Sequence, residues 1–310
     1  MSDRLPIRSG FPSLFIILLL FIPTLLSAPP QANTNALPSI VLVPGAWHSP
    51  IHYTELIGLL IHNGYHVGSQ RLPSCNSAKP NVQTVANDAA AVRNNLILPQ
   101  LNQGKEVVVL MHSYGGAPGS MAAKGLSLSE RRAAGKPGGI IGLIVLCGFL
   151  ANTGQSLLSE LPGQVFDPWV IEYVCIFRIR LSIETDIVQS NGQLGVQNAR
   201  DVFYNDVPDH IAAAAVAEIR NQSRNSLESP SGPPAWADSV FNGRRSYLHT
   251  LQDHGIPPIG QNAMLQASGV SWDITSFNTS HSPYLSEPYQ VRAWIVREIA
   301  KFRAGGTATQ

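Results

Sequence analysis

Charge is scarce in this chain and balanced: 13% of its 310 residues are Asp, Glu, Lys or Arg, the formal net charge is +1, and like charges form no long run. A nucleic-acid partner requires a concentrated basic face, so that class is excluded. Cysteine is nearly missing too. Cys75, Cys147 and Cys175 are an odd set without scaffold-like density, which allows at most one internal bridge; Cys147, set in an apolar run, reads as a small core residue. No apolar stretch reaches the roughly 20 residues that a membrane-spanning helix needs. Residues 14–26 are apolar apart from Pro23 and Thr24, and Arg4 and Arg8 precede them. That is the layout of a secretory signal peptide, with a retained membrane anchor as the alternative. Ser27-Ala28 offers a cleavage site, and Pro29 and Pro30 directly after it leave the cut anywhere up to about Ala36. Neither an internal repeat nor a low-complexity tract is present.

What the chain does have is apolar mass, 44% hydrophobic residues, enough for one large single-core domain and too much for disorder. Past the paired prolines, short apolar runs alternate with helical patterns. Residues 39–43 read as a strand, Tyr53, Leu56 and Leu60 as a helix face, residues 65–71 as a second strand, and Val85, Ala89, Val92 and Leu96 as another helix face. Residues 106–112 lack polar alternation and suit a strand buried on both faces. A small-residue helix from about Tyr114 and a further strand over 140–146 follow. This alternation predicts an α/β fold: a mostly parallel central sheet flanked by helices. Over residues 151–240 it gives way to scattered aromatics, prolines and an Ala-rich helix at 211–219 with no strong strand run, which predicts an inserted, mainly helical cap. The alternation returns with strands at 246–251 and 272–277, a helix at 261–266, and a last helix whose Val291, Trp294, Ile295, Ile299 and Phe302 share one face. The expected organisation is therefore a signal segment over 1–28, a linker over 29–38, a core over 39–150, a cap over 151–240, the second part of the core over 241–304 and a tail over 305–310.

The sharpest local feature is Val107-Val108-Val109-Leu110-Met111-His112-Ser113-Tyr114-Gly115-Gly116. A strand that stops at a serine and turns into a helix at glycines exposes the serine hydroxyl on a tight turn, with helix N-terminal amides beside it. The Tyr114 N–H can then stabilise an oxyanion. Here the chain resembles the α/β-hydrolase family, whose pattern is Gly-x-Ser-x-Gly, and departs from it at Met111, which replaces the first glycine. Val43-Pro44-Gly45-Ala46-Trp47-His48 is similar to the family's strand-end loop that supplies the second oxyanion donor, here the Ala46 N–H, with Pro44 where histidine is usual. In that family the acid and then the histidine follow on later strands. Asp253 ends the strand at 246–251, and His281 follows the strand at 272–277 ahead of the last helix. A serine hydroxyl is a poor nucleophile until an imidazole takes its proton and a carboxylate fixes the imidazole tautomer. His48, His112 and His254 also lie near loop mouths, Asp201 and Asp206 are rival acids within the cap, and Asp273 falls inside a strand; chain position favours His281 and Asp253.

The resemblance runs from about Ser39 to Phe302 and is closest to the small capped group of plant methyl esterases and hydroxynitrile lyases, with fungal and bacterial esterase-like relatives, the fungal ones often in secondary metabolism. It implies hydrolysis of an ester or lactone of a small molecule, with Ser113, Asp253 and His281 as the triad, Ala46 and Tyr114 as oxyanion donors, and no metal or organic cofactor. Trp47, Phe166, Trp169, Tyr173, Phe203 and Tyr204 are expected to line an apolar pocket; packing within the cap is the plainer role for each aromatic. Two other readings stay open: lyase or cyclase chemistry on the same groups, and a ligand-binding protein on a hydrolase scaffold. The cyanide-lyase version is disfavoured, because those enzymes carry lysine directly after the catalytic histidine and this chain has Ser282. Asn221 and Asn278 begin glycosylation sequons, fitting an exported protein. Membrane contact is expected only if the N-terminal segment is retained, and no oligomeric state can be read.

Overall fold

The computed structural model describes residue 1 and residues 36–180 and 184–305. The expected signal segment, most of the linker and the tail beyond residue 305 lie outside the described residues. In chain order the strands are β1 (Ser39–Val43), β2 (Val67–Ser69), β3 (Glu106–His112), β4 (Gly139–Leu146), β5 (Val170–Arg180), β6 (Glu184–Val196), β7 (Gln222–Ser223), β8 (Arg245–Thr250) and β9 (Asp273–Phe277). Six of them form one parallel sheet in the order β2-β1-β3-β4-β8-β9.

Side-chain alternation explains why this sheet is covered on both sides. One set of inward residues, Val41, Val43, Val107, Val109, Met111 and Val145, packs under the helices Val85–Ala91 and Gly116–Ala123 and under the cap. The alternate set, Ile40, Leu42, Val108, Leu110, Ile144 and Leu146, packs on Leu56 and Leu60 of the helix Thr54–His62 and on Trp294, Ile295 and Ile299 of Pro288–Arg303. The helix starting at Val85 is capped by Thr84, whose hydroxyl accepts the Asn87 N–H. It widens into a π-turn over Val92–Ile97 just before Pro99, because proline has no N–H for the carbonyl one turn back and its ring crowds that carbonyl.

Register decides what meets at the upper edge of the sheet. Val43 lies opposite Met111, Leu146 opposite Leu248, and Thr250 opposite Phe277. The loops leaving β1, β3, β8 and β9 therefore emerge side by side, and they carry Ala46, Ser113, Asp253 and His281.

The cap departs from expectation. Its helices are present, notably Ala199–Tyr204 and the Ala-rich Asp209–Ala217, but β5 and β6 form an antiparallel hairpin to which β7 adds a third strand. The β-branched and aromatic content of residues 170–180 favours extended chain, and the surrounding prolines and polar residues break the period-two pattern that would mark it as a strand in sequence. Cys75 and Cys147 are buried and unbridged, while the Cys175 side chain lies outside the described set. Among the described residues no helix is long and apolar enough to cross a membrane.

Candidate active site

Ser113 sits where β3 stops and a single 3-10 turn, Ser113–Gly115, leads into the helix Gly116–Ala123. Its φ is +53°, a left-handed conformation that costs a non-glycine residue roughly 1–3 kcal/mol and is retained where function needs the side chain thrust outward. Gly115 is required by close approach: a Cβ there would lie 2.5 Å from the Val43 carbonyl oxygen. The departure at Met111 has a matching adjustment one turn into the helix. Met111 is fully buried, and a Cβ on Gly119 would lie 2.6 Å from its Cγ and 2.9 Å from its Sδ. The clearance that the usual first glycine gives on the strand is here given by a glycine on the helix.

Three side chains from distant parts of the sequence meet at this turn. His281 Nε2 is 2.9 Å from Ser113 Oγ, and His281 Nδ1 is 2.8 Å from Asp253 Oδ2. Asp253 is held from every side: Oδ1 accepts the N–H groups of Gly255 and Ile256 at 2.8 and 2.7 Å, and Oδ2 accepts Thr250 Oγ1 at 2.8 Å and Gln261 Nε2 at 3.3 Å. A carboxylate on Nδ1 selects the tautomer in which Nε2 is a free acceptor facing the hydroxyl. The rival acids are elsewhere. Asp201 faces His254 on the surface at 3.3 Å and Asp273 pairs with Lys301 at 2.5 Å. Asp206 accepts the Ser280 N–H at 2.9 Å and so braces the loop that presents His281.

The rival histidines are braces as well. His112 Nε2 lies 2.9 Å from the His281 carbonyl oxygen, which can only accept, so Nε2 carries the proton and Nδ1 accepts from the Tyr53 hydroxyl at 2.7 Å. That hydroxyl in turn accepts the Gly45 N–H at 3.1 Å. Burial, followed by the neighbouring His281, holds the His112 imidazole well below its usual range, so it stays neutral and able to accept. By the same logic His48 donates from Nδ1 to the Ala46 carbonyl at 2.7 Å and accepts the Tyr204 hydroxyl on Nε2 at 2.8 Å, its pKa lowered by burial and then by His52. Tyr53 and His112 thus tie the β1 loop to the loop that presents His281, and His48 and Tyr204 tie it to the cap helix Ala199–Tyr204.

Ala46, Trp47, Ser113, Tyr114 and His281 open into one narrow cavity, about 400 Å³ of unfilled space counting its mouth. Tyr114 lies in the first turn after the strand, where N–H groups lack helical partners. Of the expected pocket residues, Trp47, Phe166, Trp169 and Phe203 line the cavity, with Trp169 edge-on to Trp47 and Phe203 at 5.5 Å from each. Two expectations are corrected. Tyr173 is 41% exposed, at the point of β5 where the pairing with β6 shifts register between Glu172 and Val174, and Tyr204 is fully buried, its hydroxyl committed to His48. Phe149, Leu157, Leu161 and Ile256 complete the apolar wall; Phe149 was legible in principle, since it follows β4 at the same sheet edge. His112, Cys147 and His281 place ligand atoms within 4.8 Å of one another. Both nitrogens of each imidazole are already committed, and burial pushes the Cys147 thiol pKa well up, so the cluster does not fit a metal ion. Of the sequon residues, Asn278 is exposed on the loop before His281 and accepts Gln252 Nε2 at 3.0 Å; Asn221 is half-buried and donates to Gln193 at 2.8 Å.

Residues 40–294 match the model of the alpha/beta hydrolase family. Among curated proteins the chain is 29% identical over 251 residues to an alpha/beta hydrolase of Aspergillus novofumigatus, covering 81% of this chain and 92% of that one. Among solved structures it is similar to a pyrethroid hydrolase from Sphingobium faniae (TM-score 0.60, 22% identity, 86% and 98% of the two chains). A methylesterase from Arabidopsis is comparable (TM-score 0.61, 16% identity, 85% and 99%). At these identities the solved structures speak to the fold alone.

Proposed function

This chain belongs to the alpha/beta hydrolase family, and from that premise we propose that it is a serine hydrolase cleaving a carboxylic ester or lactone of a small apolar molecule. The observation that carries the proposal is the hydrogen-bonded line from Asp253 through His281 to Ser113, at 2.8 and 2.9 Å, opening into an apolar cavity. His281 Nε2 takes the Ser113 proton as Oγ attacks the carbonyl carbon. The N–H groups of Ala46 and Tyr114 receive the negative oxygen, each such donor contributing about 3 kcal/mol to the barrier reduction. The imidazolium, steadied by Asp253, returns its proton to the departing alkoxide. Water, deprotonated by the same Nε2, then attacks the acyl-enzyme and frees the acid and Ser113.

Export belongs to the same proposal, supported by the basic and then apolar layout of residues 4–26; exposed Asn278 is the better glycan acceptor. A role in secondary metabolism is the role that the resemblance to fungal members supports. Fluorophosphonate labelling tests the chemistry: the wild type labels, and Ser113→Ala loses both labelling and turnover of a panel of ester and lactone substrates by at least about a thousandfold. Folded wild-type protein that does not label, or a Ser113→Ala variant that still turns over esters, refutes it.

A further inference from the structure

A second buried carboxylate lies outside the reacting trio. Asp88, on the helix Val85–Ala91, is fully buried and all of its hydrogen-bond partners are neutral. Its Oδ1 accepts the Ser74 N–H at 3.0 Å; its Oδ2 accepts the Ser74 hydroxyl at 2.5 Å and the Tyr114 hydroxyl at 2.7 Å. From Ser74 the network continues into the cap: Gln222 Nε2 donates to Ser74 Oγ and to Ser226 Oγ, both at 2.7 Å, and Gln222 Oε1 accepts the Trp47 N–H at 3.2 Å. Ser74, Tyr114, Gln222 and Ser226 are all buried. The two ends of this network are the residue that bears one proposed oxyanion donor, Tyr114, and the residue directly after the other, Ala46.

We propose that Asp88 is a positioning residue for the hydrolysis proposed above, holding Tyr114 directly and Trp47 through Ser74 and Gln222, so that the N–H groups of Tyr114 and Ala46 converge on one oxygen. The arrangement does more than fill space. Hydrogen bonds to an ionised acceptor are shorter and about twice as strong as neutral ones, and Asp88 spends two of them on the loop at Ser74 and one on the residue after the nucleophile. Burial raises its pKa to about 6, so the carboxylate is retained at a cost to stability that a neutral side chain would avoid. The titratable groups facing it, the Tyr114 phenol and the Cys75 thiol, are both pushed up by burial and stay neutral.

The test is a double-mutant cycle on the full mature chain with 4-nitrophenyl butyrate, using Asp88→Asn, Tyr114→Phe and the pair, with thermal melts to establish that each variant is folded. Tyr114→Phe keeps the backbone donor and loses only the anchor. Each single variant lowers kcat about tenfold with KM within about twofold, because the defect is in holding a transition-state charge. The double variant is no worse than either single one, since both break the same link. Asp88→Ala loses more than Asp88→Asn, which keeps one acceptor oxygen. Unchanged kcat in Asp88→Asn, losses that multiply in the pair, or losses confined to KM overturn the positioning role while leaving the hydrolase reading intact. A folded wild type that neither labels with fluorophosphonate nor turns over any ester overturns both.

Discussion

The substitution of methionine for the first glycine of the serine turn makes a quantitative prediction about Gly119. Placing a methyl there forces a Cβ to 2.6 Å from the Met111 Cγ and 3.2 Å from a Val43 methyl, and Met111 has no exposed direction in which to retreat. Overpacking of this kind costs about 1–3 kcal/mol, while replacing glycine by alanine within a helix returns about 1 kcal/mol. Gly119→Ala alone should therefore destabilise by about 1 kcal/mol once the helix gain is set against the overpacking. Met111→Gly alone should cost about 3–6 kcal/mol, from the cavity left by a fully buried side chain plus the backbone freedom of glycine in a strand. In the Met111→Gly background the added methyl enters vacated space, so Gly119→Ala should now stabilise by about 1 kcal/mol. The coupling energy is thus about 2 kcal/mol, well outside the scatter for independent sites. Urea unfolding of the four proteins, followed by far-ultraviolet circular dichroism, measures it. If Gly119→Ala has the same sign and size in both backgrounds, the claim that the helix glycine makes room for the methionine is wrong.

Three further outcomes are expected. Ser113→Gly should raise the melting temperature, by relieving roughly 1 kcal/mol of left-handed strain, while abolishing turnover; a lower melting temperature would show that the turn is not strained. Tyr53→Phe should cost about 1–3 kcal/mol, because the buried Gly45 N–H and His112 Nδ1 both lose their partner, and should lower kcat by loosening the β1 loop; wild-type stability in urea would contradict the hydrogen-bond chain. Stability should fall with acid, because His48 and His112 are held neutral in the fold: below pH 6.5 the unfolded chain takes up their protons first, at up to about 1.4 kcal/mol per pH unit for each histidine. Asp88 acts with the opposite sign. Its pKa is raised to about 6, so the folded state binds its proton first and gains stability as pH falls from about 6 towards 4, by about 3 kcal/mol over the window. Asp88→Asn should accordingly steepen the acid loss across that window, read from urea midpoints at successive pH values; an unchanged slope would refute the assignment.

Much of the scaffold was legible because parallel sheets advertise themselves. The buried runs 40–43 in β1, 107–111 in β3 and 140–146 in β4 carry no polar residue to confuse their period, and β3 matches the expected residues 106–112 at both ends. Ser113, Asp253 and His281 could be singled out because each lies at or shortly past the end of a strand, β3, β8 and β9, so chain order and sheet register together predict proximity. The cap was less legible. Tyr173 on β5 is exposed whereas Trp169 and Phe203 line the cavity, and an aromatic residue gives the same sequence signal in either place. Nor could the supporting network be read. Asp88, Gln222 and Tyr53 are separated in sequence from the groups they hold, and a polar residue destined for a buried hydrogen bond looks in sequence like one destined for solvent. His112 illustrates the limit: its place before the serine was visible, its role as a brace between two loops was not.

The loop ahead of His281 is fastened to the cap rather than to the sheet alone. Asp206 accepts the Ser280 N–H, the Phe203 carbonyl accepts the Ser280 hydroxyl at 3.3 Å, and the Phe203 ring rests 5.5 Å from the imidazole. Phe203 also forms part of the cavity wall, so a ligand large enough to push that wall aside should also pull on the His281 ring. Under the hydrolysis proposed above, loading and firing are therefore expected to be linked: a guest that displaces the wall should leave the imidazole out of line with the hydroxyl, and one that lets the wall settle back should find the base in place.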